Sequence, residues 1–513
     1  MKILASIVLI VLCVGCAETF PPQQRTSAAN QSEQFPESKG AGAYNITVPM
    51  PLAGGRVDDV GWKRGWSTDA TGGPWRVGMP EGRWMVWQDY EVLVYIAKAV
   101  GTRLQCNFIM CEFDRSNICA EYPTTTWQGS NWDNSQLVSD DDFRIMNYVK
   151  DNAAYIEFSL HGVGHEHWDP VTGERTRAEF AKADGTTWPY EVVKGHLECY
   201  KRLIDQYGIS FPKNYVPTAS YYYYNPDDPN DHGGLLSSYG VKTCNAGEDT
   251  YITDHGVMVL PRISVAVPWN AVGMAPEQIT SACIIVNHWA NMVEKDPADN
   301  HKAGDKWIQW CEKIKALPDR YIPKNTAQLY SQYLYKKYTF FNTSFDKNQV
   351  RINNKRMPDE VYKYDLLGNL VLKVPLENGR HISSAQFSGG NIACYYEDKG
   401  FGYIILPKLE KSYYTLTFST GPYEMPNYAI NDGTFNVLKF TLSDKNATVS
   451  LQMYGTGDVK VKLDAFKPTG AESNSKNLVI NSWNWDQQTR TFIAKVTATD
   501  VQGVVSDLII TSD

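Results

Sequence analysis

Beyond Cys16 the sequence contains no Cys-x-x-Cys pair, which argues against a structural zinc knuckle. It has no surplus of positive charge. Lysine and arginine number 49 against 57 aspartates and glutamates, for a net charge of -8 and a pI near 5.7. That balance offers no footprint for nucleic acid. The N-terminal apolar run, Ile3 to Val14, is shorter than the roughly 20 residues a membrane-spanning helix needs. Tryptophan and histidine are scarce in the last third: thirteen of fifteen tryptophans and eight of nine histidines precede residue 325. The side chains best suited to chemistry therefore sit in the first part of the chain.

What is present begins with an export signal: Lys2, the apolar run, then Gly15-Cys16. Cys13-Val14-Gly15-Cys16 resembles the bacterial lipoprotein cleavage box, with Cys16 as the lipidated residue and a membrane anchor as its consequence. Cys13 stands where leucine is usual, so ordinary secretion with later cleavage is the alternative. Residues 17–45 are polar and read as a tether. In an exported chain Cys111 and Cys119 form a plausible local disulfide, while Cys106 and Cys283 sit in apolar runs and pack as small hydrophobes.

A chain of 513 residues implies two or three domains. Before residue 325 strands alternate with helices. Strands are expected at Arg83–Trp87, Leu104–Cys111, the run into His161, and Cys283–Val286. Helices are expected at Glu91–Val100, Asp140–Lys150 and Glu191–Tyr207. This alternation predicts an α/β fold, a distorted β/α barrel over 46–325 with its site at strand C-terminal ends. After residue 325 short alternating segments separated by turns, such as Glu377-Asn378-Gly379, predict one or two all-β sandwich modules over 326–421 and 422–513, with a seam at Pro422 to Pro426.

Three strand ends carry polar groups fit for one site: Val86-Trp87-Gln88-Asp89-Tyr90, His161-Gly162-Val163-Gly164-His165 and Ile284-Ile285-Val286-Asn287-His288-Trp289. Two glycines let His165 turn back beside His161. One carboxylate and two imidazoles make an open three-ligand metal site, and a further imidazole is available as acid or base. Each residue has a plainer reading: Asp89 as a helix cap, His288 as a packed strand-end histidine, Glu112 and Asp114 as solvated loop charges.

In motif order over about 80–300 the sequence resembles the polysaccharide deacetylase (NodB-homology) family. The family's Thr-Phe-Asp-Asp-Gly lines up with Val86–Tyr90, its His-Ser/Thr-x-x-His with His161–His165, and its Leu-x-Leu-His with Ile285–His288. Its Arg-x-Pro-Tyr turn is similar to Tyr215–Tyr221, without a clear arginine. The resemblance implies a distorted β/α barrel that removes acetyl groups from glycans with a divalent metal, often zinc. It implies Asp89, His161 and His165 as ligands and His288 as the acid for the leaving amine. The family's base position is Gln88, and a carboxamide cannot accept the proton. Either Glu112 or Asp114 replaces it, or His288 serves as base and acid, or the barrel only binds glycan.

Trp87, Tyr221, Trp269 and Trp289 are candidates for a sugar-stacking wall. Trp483 and Trp485 alternate on a probable strand and form either a second platform or sandwich packing. The favoured expectation is an exported glycan deacetylase. A glycoside hydrolase using Glu112 and Asp114 and a non-catalytic glycan-binding surface protein are the competing classes.

Overall fold

The computed structural model describes residues 46–52, 55–63, 84–182, 184–225, 227–228, 231–247, 251–261, 276, 286–343 and 349–513. The signal sequence with Cys16, the tether and Trp269 lie outside them, as does Cys283. Among the described residues no helix is long and apolar enough to cross a membrane.

The first part is a curled sheet with helices against it. Its strands are β1 (Arg56–Val60), β2 (Leu104–Ile109), β3 (Ile156–Gly162), β4 (Asn214–Tyr215), β5 (Thr243–Gly247), β6 (Tyr251–Ile252), β7 (Met258–Pro261) and β8 (Val286–His288). They lie in the order β8-β1-β2-β3-β4-β5-β7-β6, seven parallel and the edge strand β6 antiparallel. This is a half-barrel, a distorted α/β barrel as the alternation predicts. Helices α1 (Glu91–Val100), α2 (Asp141–Asp151), α3 (Tyr190–Asp205), α4 (His232–Ser238) and α5 (His301–Lys315) accompany it.

Strand β3 shows why this sequence makes this sheet. Ile156, Phe158 and Leu160 alternate with Glu157, Ser159 and His161, and all are buried. Successive strand side chains point to opposite faces, and both faces of a parallel sheet are covered. The apolar set joins the core shared with α1 and α3. The polar set falls in register with polar partners, Gln105↔Glu157 and Asn107↔Ser159, with Arg56↔Gln105 on the next pair. The face opposite the apolar core is therefore polar, and it leads up to His161.

Two expected strand boundaries move. Residues 84–86 are not strand, and Trp87–Tyr90 is a 3-10 turn leading into α1. The strand that belongs in that place in the fold is β1, about thirty residues earlier. The late strand is described only as Val286–His288.

Helix α6 (Thr326–Tyr338), capped by the Asn325 side chain, connects to the β region. There a seven-stranded sheet runs unbroken from Leu370–Pro375 to Leu478–Asp486. It crosses the Pro422–Pro426 seam through the Tyr395↔Ile430 pair. Four-stranded sheets containing Tyr413–Gly421 and Asn446–Met453 complete the region, with separate apolar cores. All seven described cysteines are free thiols. Cys119 Sγ lies 3.8 Å from Cys199 Sγ, so the neighbour of Cys119 is Cys199 on α3 rather than Cys111.

Candidate metal centre

The site begins with an irregularity in β1. Between its pairs with β2, Val57↔Cys106 and Val60↔Phe108, the register shifts by one residue. Asp59 takes a left-handed backbone, φ 63°. A bulge of this kind re-aims side chains, and here two consecutive aspartates both reach the polar face. Asp58 is tied down: Arg56 donates to it through Nε (2.8 Å) and Nη2 (2.7 Å), and Asn107 Nδ2 donates at 2.7 Å. Asp59 takes the opposite part. Its Oδ1 is buried without a hydrogen-bond donor among the described residues, and it faces His161 Nε2 at 3.4 Å and His165 Nε2 at 3.7 Å.

His161 ends β3, and its Nδ1 lies 2.7 Å from the carbonyl of Val216. A carbonyl oxygen only accepts, so Nδ1 donates and the neutral ring presents the Nε2 lone pair to Asp59. His165 lies four residues on, at φ 58°, its ring edge-on to His161 with centroids 5.0 Å apart. Donor atoms of Asp59, His161 and His165 lie within 4.8 Å of one another. Lone pairs and a carboxylate gathered in a buried place repel unless a proton or a cation sits between them. Two imidazoles and one carboxylate could hold a metal ion. The residues present fit such an ion.

The charge pattern agrees. Burial would raise Asp58 and Asp59, but for Asp58 the Arg56 guanidinium, and for Asp59 the two imidazoles, hold the carboxyl below its usual range. Burial pulls His161 down, yet Asp59 and Asp58 outweigh it and hold the ring above 6.5. His165 is pushed down to about 4 by burial, which Asp59 opposes only in part, with a smaller lowering from His161. The last strand adds His288, half-buried and in register with Asp58.

Several expected site residues lie elsewhere. Asp89 is outside the cluster. Its Oδ2 accepts from Val86 N and its Oδ1 from Asn300 Nδ2, both at 2.8 Å, so it caps the turn before α1. Glu112 is buried and accepts from Lys63 N at 2.7 Å. Asp114 is buried and accepts from Cys119 N (2.8 Å) and Trp132 Nε1 (3.2 Å). Both carboxylates hold loops. Trp87 packs by Tyr148, with Arg144 over its ring. Trp289 is buried against Tyr90. Tyr221 follows the Thr218–Ser220 turn and is part-buried. Two residues were missed: Asp59, signalled by the doublet after Arg56-Val57, and Trp62, whose ring lies 5.4 Å from that of His165.

Comparison with protein-family models, curated proteins and solved structures finds no match to this chain. The class that fold and site define is an α/β half-barrel with a candidate two-histidine, one-aspartate metal centre, joined to β-sheet domains.

Proposed function

We propose that this chain is a metal-dependent hydrolase that removes acetyl groups from a glycan. The convergence of Asp59, His161 and His165 carries the reading. The deacetylase resemblance also becomes more complete when its first motif is moved. Arg56-Val57-Asp58-Asp59-Val60 supplies both aspartates of Thr-Phe-Asp-Asp-Gly, where Val86–Tyr90 supplies one. The base position is then Asp58, and neither Glu112 nor Asp114 is needed as a substitute. The non-catalytic alternative rested on Gln88 and loses that support.

A divalent metal held by these three side chains supplies Lewis-acid chemistry, polarising a carbonyl and making water more acidic. Asp58 stays ionised through the working pH range because Arg56 pairs with it. It accepts the proton of the attacking water, with Asn107 and Arg56 fixing its orientation. His288, beside Asp58 on the neighbouring strand, donates a proton to the departing nitrogen or oxygen. The acetylated glycan as substrate, and Cys16 as a lipid anchor on an exported protein, belong to this reading on sequence grounds alone.

The test is elemental analysis of the purified chain, followed by enzymatic detection of acetate released from N-acetylated and O-acetylated glycans. About one zinc-like ion per chain and acetate release, both lost in His161→Ala, support the proposal. No metal after zinc is added back overturns it, and metal without acetate from any acetylated glycan overturns the deacetylase part.

A further inference from the structure

The loop between the two histidine ligands is held by a carboxylate that the proposed reaction does not use. Gly162-Val163-Gly164 has no side-chain acceptor of its own, yet it must turn tightly and leave His165 in a left-handed conformation. Glu179, fully buried on an irregular segment after the loop, supplies what is missing. Its Oε1 accepts from Val163 N at 2.8 Å and its Oε2 from His165 N at 2.9 Å. The carboxylate is itself fixed. His196 Nδ1 on α3 lies 2.9 Å from Oε1, and His196 Nε2 lies 2.8 Å from Thr124 Oγ1. Glu179 N donates to Thr218 Oγ1 at 2.8 Å, two residues beyond the carbonyl that orients His161.

Gly162 fits this arrangement. Its φ is 145°, and a Cβ there would come within 2.1 Å of Glu179 Oε2. The carboxylate fills the space that a side chain at position 162 would occupy, so the glycine and the glutamate are a matched pair.

We infer that Glu179 is a positioning residue for the metal centre: its buried carboxylate, oriented by His196, sets the backbone shape that brings His165 to Asp59. The inference rests on the metal-site reading. Partners of this kind behind metal ligands typically change affinity about 10–100-fold when removed.

Glu179→Gln keeps the volume but turns an amide N–H against one of the loop N–H groups. The expected result is zinc affinity weakened about 10–100-fold and an altered visible spectrum of the cobalt-substituted protein, at near-normal far-UV circular dichroism. Wild-type affinity and an unchanged cobalt spectrum in the variant would overturn the inference. If Glu179→Gln does not fold, His196→Asn leaves the carboxylate on the two loop N–H groups but removes the imidazole that orients it. It should give the same two effects, with zinc affinity weakened about tenfold, and their absence counts against the inference equally. Failure of the metal reading itself appears separately, as a wild type that binds neither zinc nor cobalt. Hydrogen exchange of the His165 amide in metal-free, ¹⁵N-histidine-labelled protein then decides the loop clamp. Faster exchange in the variant supports it, and equal exchange overturns it.

Discussion

Asp58 and Asp59 are neighbours in sequence with opposite tasks. One is held in place by Arg56 and Asn107; the other keeps an oxygen open toward two imidazoles. Their substitutions should therefore separate. Asp59→Ala is expected to abolish stoichiometric metal, while Asp58→Asn keeps the metal and loses acetate release by about 10²–10⁴-fold; elemental analysis and a rate assay read the two. Asp89→Ala should retain metal and cost about 1–3 kcal/mol by stranding Val86 N and Asn300, measured by denaturant unfolding. The imidazoles set a pH dependence. His165, near 4, is already neutral in the metal-free protein above pH 5, whereas His161, held above 6.5, still carries a proton. Binding must displace that proton. Zinc affinity should therefore rise about tenfold per pH unit from 5 toward the His161 pKa and level off above it. Competition titrations that show a flat affinity between pH 5 and 6.5 would contradict this assignment.

Among the elements, β3 and the His161–His165 turn were readable because an apolar alternation announces a strand and the glycines announce the turn. β8 was readable at its histidine. β1 was not. Arg56-Val57-Asp58-Asp59-Val60 has too many charges to look like a buried strand, and its burial depends on Arg56 neutralising Asp58 across one face. The tryptophan-rich Trp84–Trp87 segment, apolar and followed by an aspartate, imitated the missing strand. It packs beside α2 instead. The bulge that turns Asp59 inward leaves no mark in composition or periodicity. Further along, the Tyr454–Gly455 turn sits against the start of β3. Gly455 has φ 56°, and a Cβ there would lie 2.9 Å from Ala154 N. Gly455→Val should lower stability by about 1–3 kcal/mol while leaving metal content unchanged, which thermal unfolding of the metal-loaded protein would reveal.

On the scale of the molecule, the β region closes the floor of the half-barrel. Arg103 donates to Val501 O, Gln502 to Phe158 O, and Thr326 on α6 to the buried Glu157. A cavity of about 500 Å³ lies at this junction, lined by Arg103, Glu157, Lys213 and Tyr330 among others. A chain ended at residue 325 keeps the Arg103–Glu157 pair but loses these hydrogen-bond partners, and each buried polar group left unsatisfied costs about 1–3 kcal/mol. It should be insoluble or bind a hydrophobic dye, whereas the full chain should unfold with both regions together in calorimetry. A stable, soluble 46–325 fragment would show that the floor is dispensable.

The pairing of β8 with β1 has a consequence for the order of assembly. The first strand of the sheet lacks one neighbour until nearly the whole half-barrel has been made, because its partner is the last. Contacts so distant along the chain form slowly. A growing chain that has not yet reached His288 presents β1 as an open edge, with one side of Asp58 uncovered. The half of the centre to which the proposed function gives proton transfer is thus completed last, and a prematurely terminated chain would hold the candidate metal ligands without the group set beside them.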